Sequence, residues 1–346
     1  MTVTVSHSPS PSLDAIPSKH WHVFTHVVDN WGDVGVTWRL AHALVQRGQR
    51  VTLWLDDATP LSWMAPDLGA VQVRPWQVSA PCPATLERLD ADVVIEAFGC
   101  DVHASWLQAM GAPERSLVWL NLEYLSAEAY VSRCHGLASP VMNGPLTGMQ
   151  KWFYYPGFTA DTGGLMHGPA SERGGLDPNQ PWQITFFGYE SPALAQWLTQ
   201  PCLAQAHWVV AHGRSAAHWA QLPDSLRPPH ARYLPPLSQS AFDQQLRNSD
   251  LNMVRGEDSL VSALMAARPF VWHIYAQDDG AHWAKLDAFL DWLQAPQSLR
   301  DMHAACNGQS GVAAPVLSPS MWSEWHGCAL AARARIAAQD DLVSQL

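Results

Sequence analysis

The chain has 346 residues, a length that at about 150 residues per domain predicts two domains, each large enough to bury its own core. Hydrophobic residues make up 47% and charged residues only 15%, against roughly 25% charge in ordinary globular chains, which excludes a disordered chain or a coiled coil. The formal charge is −11, with 20 Lys plus Arg and no dense basic run; a protein that grips nucleic acid through phosphates needs a basic face, so no nucleic-acid partner is expected.

Residues 1–20, MTVTVSHSPSPSLDAIPSKH, lack a charged region followed by an apolar core and are expected to form a disordered lead-in, not a signal peptide. No stretch approaches the roughly 18 to 20 apolar residues that cross a bilayer, so no membrane is expected. Cys82, Cys100, Cys134, Cys202, Cys306 and Cys328 form no CxxC pair, which favours reduced thiols. Together these features predict a cytoplasmic protein.

WHVFTHVV (21–28) reads as a strand, and VTWRLAHALVQRG (36–48) has the apolar spacing of a helix that ends at glycine. RVTLWL (50–55), AVQVR (70–74), DVVIEAF (92–98) and SLVWLNL (116–122) follow as short apolar runs with helical or irregular segments between them. Buried runs alternating with helices predict a parallel sheet covered on both faces, and hence an N-terminal Rossmann-like domain over 21–165. The Gly- and Pro-rich stretch 159–181 has no sustained periodicity and reads as the boundary.

The alternation then restarts. Strands are predicted at 182–189, 207–213, 250–254 and 269–275, with helices at 192–200, 238–248, 259–267 and 280–294, giving a second Rossmann-like domain over 182–319. The tail, 320–346, is helical in propensity and is expected to pack back on the N-terminal domain. Two such α/β layers suit a ligand in the cleft between them, and ligands of open α/β sheets bind at the carboxyl ends of strands. The 18 tryptophans offer stiff apolar area for cores or for stacking surfaces, or reflect compositional drift.

The first strand-to-helix turn reads Asp29-Asn30-Trp31-Gly32-Asp33-Val34-Gly35. A dinucleotide fingerprint would place GxGxxG here so that a pyrophosphate approaches the backbone; carboxylates repel phosphate, so this loop suits a cationic or proton-bearing group. The plainer alternative is that Asp29 or Asp33 caps the helix. The turn Arg255-Gly256-Glu257-Asp258-Ser259 offers a fixed cation and a helix N-terminus, an arrangement suited to phosphate. Its plainer alternative is a salt-bridged acidic cap. Glu257 and Asp258 are candidates to accept hydrogen bonds from ligand hydroxyls or base N–H groups, and 273–280, closing the next strand, shares the same rim.

Other patterns carry less. Asp90-Ala91-Asp92 is a formal DxD, but it precedes a strand and reads as a surface turn. His22 and His26 lie in a predicted strand, no HExxH is present, and no metal site is expected. Neither a GxSxG elbow nor a Walker A sequence occurs.

VVDNWGDVGVTWRLA (27–41) and LNMVRGEDSLVSALMAARPFVWHIYAQDDGAHWAKLDAFLDW (251–292) strongly resemble the EarP family of protein-arginine rhamnosyltransferases, and FFGYESPAL (186–194) is similar to a third block of that family. The resemblance implies a GT-B enzyme with an acceptor-side N-terminal domain and a nucleotide-sugar-binding C-terminal domain. It implies dTDP-β-L-rhamnose as donor, no cofactor, and inverting transfer of rhamnose to one arginine of elongation factor P. By the same resemblance Asp33 is the general base, Asp29 a second essential aspartate, Glu257 part of the catalytic set, and Asn30, Gly32 and Gly35 parts of the acceptor loop. Arg255, Gly256, Asp258 and Ser259 form the donor turn, and Tyr189, Gln239 and Tyr275 line the nucleotide pocket. The family usually stacks a phenylalanine of an FVPQ-like segment on the thymine, whereas 233–239 reads YLPPLSQ here, which leaves Phe242 or Tyr233 to take its place. Two other function classes compete: a catalytically silent module docking on a translation factor, and a nicotinamide-dependent oxidoreductase. The intact Asp29, Asp33, Arg255 and Glu257 disfavour the first, and the absent GxGxxG disfavours the second.

Overall fold

Apolar runs without polar alternation belong in a sheet covered on both faces. They lie there in the computed structural model, which describes residues 17–27, 31–86, 89–177, 179–191 and 193–346. Strands β1 (His20–Thr25), β2 (Arg50–Leu55), β3 (Gln72–Pro75), β4 (Val93–Ala97), β5 (Val118–Leu122), β6 (Ala138–Pro140) and β7 (Gln150–Tyr154) form one sheet. Their order is β3-β2-β1-β4-β5-β7-β6, parallel except for β6 against β7. Side chains alternate across a strand. Accordingly Trp21 and Val23 of β1 enter one core with Val34, Leu40 and Leu44, whereas Phe24 enters the opposite core with Trp54 and Trp106.

The second sheet contains β8 (Gln183–Phe186), β9 (His207–Val210), β10 (Arg232–Tyr233), β11 (Leu251–Arg255) and β12 (Phe270–His273), in the order β10-β9-β8-β11-β12, all parallel. Its core gathers Ile184, Phe186, Trp208, Met253, Leu260 and Phe289, and takes in Leu125, Phe158 and Leu165 from the first domain. The register pairs Thr25 with Ala97 and Ala97 with Leu122 in the first sheet, and Arg255 with His273 in the second. The carboxyl ends of the central strands are therefore flush, and the loops that leave them share a rim. Among the described residues of 155–182 there is no helix or strand.

Two expectations change. Strands β6 and β7 were not anticipated because QKWFY mixes polar and aromatic residues and sits toward the sheet edge, half exposed. The tail does not simply fold back on the first domain. Helix Pro319–Ala337 places Trp322, Trp325, Ala332 and Ile336 in the second domain's core, and it is the segment beyond it that reaches the first, through Leu342, Val343 and Leu346 and through Asp341 paired with Arg47. Leu342 N–H there donates to Leu165 O at 3.0 Å. The long helix follows its tryptophans, whose large apolar side chains are buried in the second core. No helix of the described residues is long and apolar enough to cross a membrane.

Candidate active site

The helix after β1 runs from Gly32 to Gln46, and the helix after β11 from Gly256 to Ala266. Their N-terminal turns meet at one cavity of about 330 Å³, lined from the first domain by Trp31, Gly32 and Trp63 and from the second by Arg255, Gly256 and Ser259. The predicted site segments of both halves thus converge between the sheets. Asp29 and Asn30 lie outside the described residues. Asp33 is half-buried in the first turn of its helix, where Thr37 Oγ donates to its backbone oxygen at 2.8 Å. It is not the cap: Trp31 occupies that position and makes no side-chain cap bond. A carboxylate in a first turn is favoured by the helix dipole, and this one follows directly on Gly32, which lines the cavity.

The opposite turn holds a positive charge. The Arg255 guanidinium lies 4.5 Å from the Phe187 ring centre and 4.9 Å from that of Tyr189, stacked as cation–π contacts. Its Nη1 is buried without a hydrogen-bond partner among the described residues. Burial lowers the pKa of this guanidinium, which nonetheless stays charged at any physiological pH. A buried, unpartnered donor on a cation costs free energy unless a ligand completes it, so the geometry presents an anion site. Gly256 adopts φ +64° with open space where a Cβ would stand, leaving the backbone accessible at the helix N-terminus.

Other residues of that turn are more committed than the sequence suggested. Ser259 Oγ accepts from Arg255 N–H at 3.1 Å and donates to Arg255 O, so it shapes the turn. Glu257 accepts from Leu125 N–H at 2.7 Å and pairs with Lys285. Asp258 accepts from Arg39 Nε at 2.7 Å and from Gln239 Nε2 at 3.4 Å. Burial raises the Asp258 pKa, with the Arg39 guanidinium opposing it. Gln239 also donates to Gly35 O at 2.9 Å. A Cβ on Gly35 would stand 2.9 Å from Gln239 Nε2, so this glycine serves the domain contact. Both carboxylates expected to meet ligand hydroxyls therefore hold the first domain or its neighbour Lys285.

Tyr189 lines the cavity, its backbone N–H donating to His273 Nδ1 at 3.1 Å. Burial pushes the His273 pKa down to about 3, with His218 and Arg255 acting in the same direction. His273 is thus neutral, and the accepting Nδ1 places its proton on Nε2. Tyr275, 43% exposed, packs edge-on against Tyr189 at 5.9 Å. Phe242 lines the cavity and packs edge-on against Phe187 at 5.1 Å, whereas Tyr233 is 50% exposed on β10.

Several residues of the site escaped the sequence. Trp31, 42% exposed, packs on Trp63 at 4.9 Å, and Trp63 faces His212 of the other domain at 6.3 Å. Burial, then Arg255, lowers the His212 pKa. Trp272 Nε1 donates to Gly256 O at 3.0 Å and fixes the cationic turn. Trp31 and Trp272 were visible inside the motif blocks, but only the fold gives them partners. Asp90 pairs with Arg50 and Arg115, and Asp92 accepts from His20 N–H at 2.8 Å, so the formal DxD secures the amino end of β4.

The family described as Elongation-Factor P (EF-P) rhamnosyltransferase EarP matches residues 21–346. The chain belongs to the EarP family. It is similar to the protein-arginine rhamnosyltransferase of Pseudomonas putida, 40% identical over 311 residues that cover 78% of this chain and 80% of that protein. The protein-arginine rhamnosyltransferase of Pseudomonas aeruginosa is 37% identical over 348 residues, 85% and 88% of the two chains. A solved structure described as the structural basis for EarP-mediated arginine glycosylation of translation elongation factor EF-P aligns over 94% of this chain and 97% of that one, at TM-score 0.58 and 25% identity. The spinosyn rhamnosyltransferase SpnG shares the fold at TM-score 0.56 and 14% identity, over 94% and 98% of the chains. The paired parallel sheets of this EarP-family chain are a GT-B glycosyltransferase architecture.

Proposed function

We propose that this EarP-family chain works in the cytoplasm, transferring L-rhamnose from dTDP-β-L-rhamnose to one arginine side chain of elongation factor P, with inversion at the anomeric carbon. The observation that carries this is the unpartnered Arg255 Nη1 in a cavity closed on its far side by the turn that bears Asp33. Arg255 and the amides at the start of the Gly256–Ala266 helix hold the donor diphosphate, since cation, dipole and free donors all favour an anion. Phe242 supplies the apolar face for the thymine.

An arginine nitrogen is a poor nucleophile because its lone pairs are delocalised and the group is protonated. Asp33, with Asp29, holds the guanidinium by charge-assisted bonds and points one nitrogen at the anomeric carbon. The C–N bond forms as the C–O bond to the diphosphate breaks. The attacking nitrogen becomes acidic as its bond forms, and its proton passes to Asp33. Ion pairing opposes earlier deprotonation, so proton transfer accompanies or follows attack. Negative charge on the departing diphosphate is met by Arg255, and a single displacement from the opposite side inverts the centre.

The test is to incubate the protein with dTDP-β-L-rhamnose and elongation factor P and to measure the intact mass of the factor. A gain of one deoxyhexose is expected. No gain, under conditions where calorimetry shows donor bound, overturns the proposal.

A further inference from the structure

Arg39 joins the two domains at the site and has no counterpart among the residues singled out in the sequence. It lies on the Gly32–Gln46 helix that begins at the Asp33 turn, about 9 Å along the axis from Asp33 at roughly 1.5 Å per residue. Among the described residues, every hydrogen bond of its guanidinium goes to the second domain. Nη1 and Nη2 clamp Asp243 at 2.7 and 2.9 Å, Nε meets Asp258 at 2.7 Å, and Nη2 also reaches Ser262 Oγ at 3.3 Å. Burial acts against its charge, but Asp258 and Asp243 outweigh this and raise its pKa. Asp258 is three residues beyond Arg255 on the donor turn.

The clamp is placed where register matters. It stands between the 330 Å³ cavity and a second interdomain cavity of about 440 Å³, both lined by Arg39, Gln239, Glu257 and Asp258. Each sheet builds most of a core of its own, and Arg39 belongs to none of these clusters. A planar guanidinium with two fixed carboxylate partners admits one geometry, which lysine cannot reproduce.

We propose that Arg39 is a positioning residue for transfer: by clamping Asp243 and Asp258 it sets the helix that carries Asp33 against the turn that carries Arg255. The assignment rests on the transferase function proposed above. Arg39 acts through these residues, fixing the separation between the proton acceptor and the anion site. Loss of the clamp lets one half slide against the other, and displacement of about 1 Å at a reacting centre costs on the order of a hundredfold in rate.

The experiment compares wild type, Arg39→Ala, Arg39→Lys, Asp243→Asn and the Arg39→Ala/Asp243→Asn pair in transfer assays with elongation factor P. Donor calorimetry, thermal melting and small-angle scattering accompany them. For Arg39→Ala the expected result is a fall in kcat on the order of a hundredfold, donor Kd and melting near wild type, and a larger radius of gyration. Arg39→Lys falls between, and the pair is no worse than Arg39→Ala alone because both changes remove one contact. Wild-type kcat in Arg39→Ala, or donor affinity and melting that fall in step with kcat, overturns the positioning role. If wild type itself transfers nothing, it is the rhamnosyltransferase proposal that fails. Scattering then decides the Arg39 assignment alone, and an unchanged radius in Arg39→Ala overturns it.

Discussion

After β1 the chain enters its helix through Trp31 and carries Asp33 in the first turn; after β11 it enters through Arg255, whose guanidinium lies between two aromatic rings. Both turns have a glycine as the first helical residue, and both line the same cavity. A helix N-terminus favours negative charge wherever it occurs. In the first turn the protein supplies that charge itself, leaving a site suited to a cation. In the second the cation comes from the protein and the place for an anion is left to the ligand. One structural device, repeated in two Rossmann-like halves, is what the proposed transfer needs: a place for the arginine acceptor on one wall and for the diphosphate on the other.

The strongest way to break this comparison is to neutralise one charge at a time. Asp33→Asn keeps the shape and removes the proposed proton acceptor, so transfer should fall by roughly 10³-fold, with donor Kd unchanged by calorimetry. Loss of donor binding instead would place the first turn on the donor side. Arg255→Ala should do the reverse. Removing a charged hydrogen-bond partner costs about 2 kcal/mol, or roughly thirtyfold in dTDP affinity. Unaltered dTDP binding by Arg255→Ala would remove the anion site from this turn.

A buried histidine stands behind the cationic turn. His273 sits beneath Tyr189, and burial pushes its pKa to about 3, below the ordinary value near 6.5. Between those values the unfolded chain binds a proton that the folded chain refuses, so stability falls as pH drops below about 6.5. The loss from this residue is about 1.4 kcal/mol per pH unit, or about 2 kcal/mol by pH 5. Burial pushes His22 and His303 to about 4, with the same sign. Denaturant titrations at pH 7 and pH 5 should show a smaller drop for His273→Gln than for wild type. An equal drop would mean that His273 does not take part.

The sequence disclosed the two turns more fully than what joins them. Asp33 and Arg255 stand out because they follow β1 and β11, strands marked by uninterrupted apolar runs, at the carboxyl ends where ligands of open α/β sheets bind. The register of the halves is carried by Arg39 with Asp243 and by Gln239 with Gly35, pairs separated by 204 positions each. No periodicity links such positions, and WRLA around Arg39 reads as an ordinary amphipathic helix. Asp258 and Glu257 were legible as site residues by position, but their present partners, Arg39 and Leu125 N–H, exist only once the domains meet. The tryptophans divide in the same way. Trp208, Trp219 and Trp322 pack in the second core, whereas Trp31 and Trp63 face the cavity, a difference their composition cannot express.

The smallest expected effect concerns the base. The segment 233–242 offers two aromatic candidates, and the fold separates them: Phe242 is on the cavity wall against Phe187, while Tyr233 is half exposed on the edge strand β10. Stacking on an aromatic face contributes at least about 1 kcal/mol per base, so Phe242→Ala should weaken dTDP binding roughly fivefold, and Tyr233→Ala should leave it unchanged. Thymidine supplies the sharper probe because it lacks the diphosphate: its affinity should respond to Phe242→Ala and ignore Arg255→Ala. If Tyr233→Ala is the variant that loses thymidine, the base extends toward β10 and Phe242 serves only to hold Phe187 under the Arg255 guanidinium, in which case Phe242→Ala should weaken inorganic pyrophosphate as well.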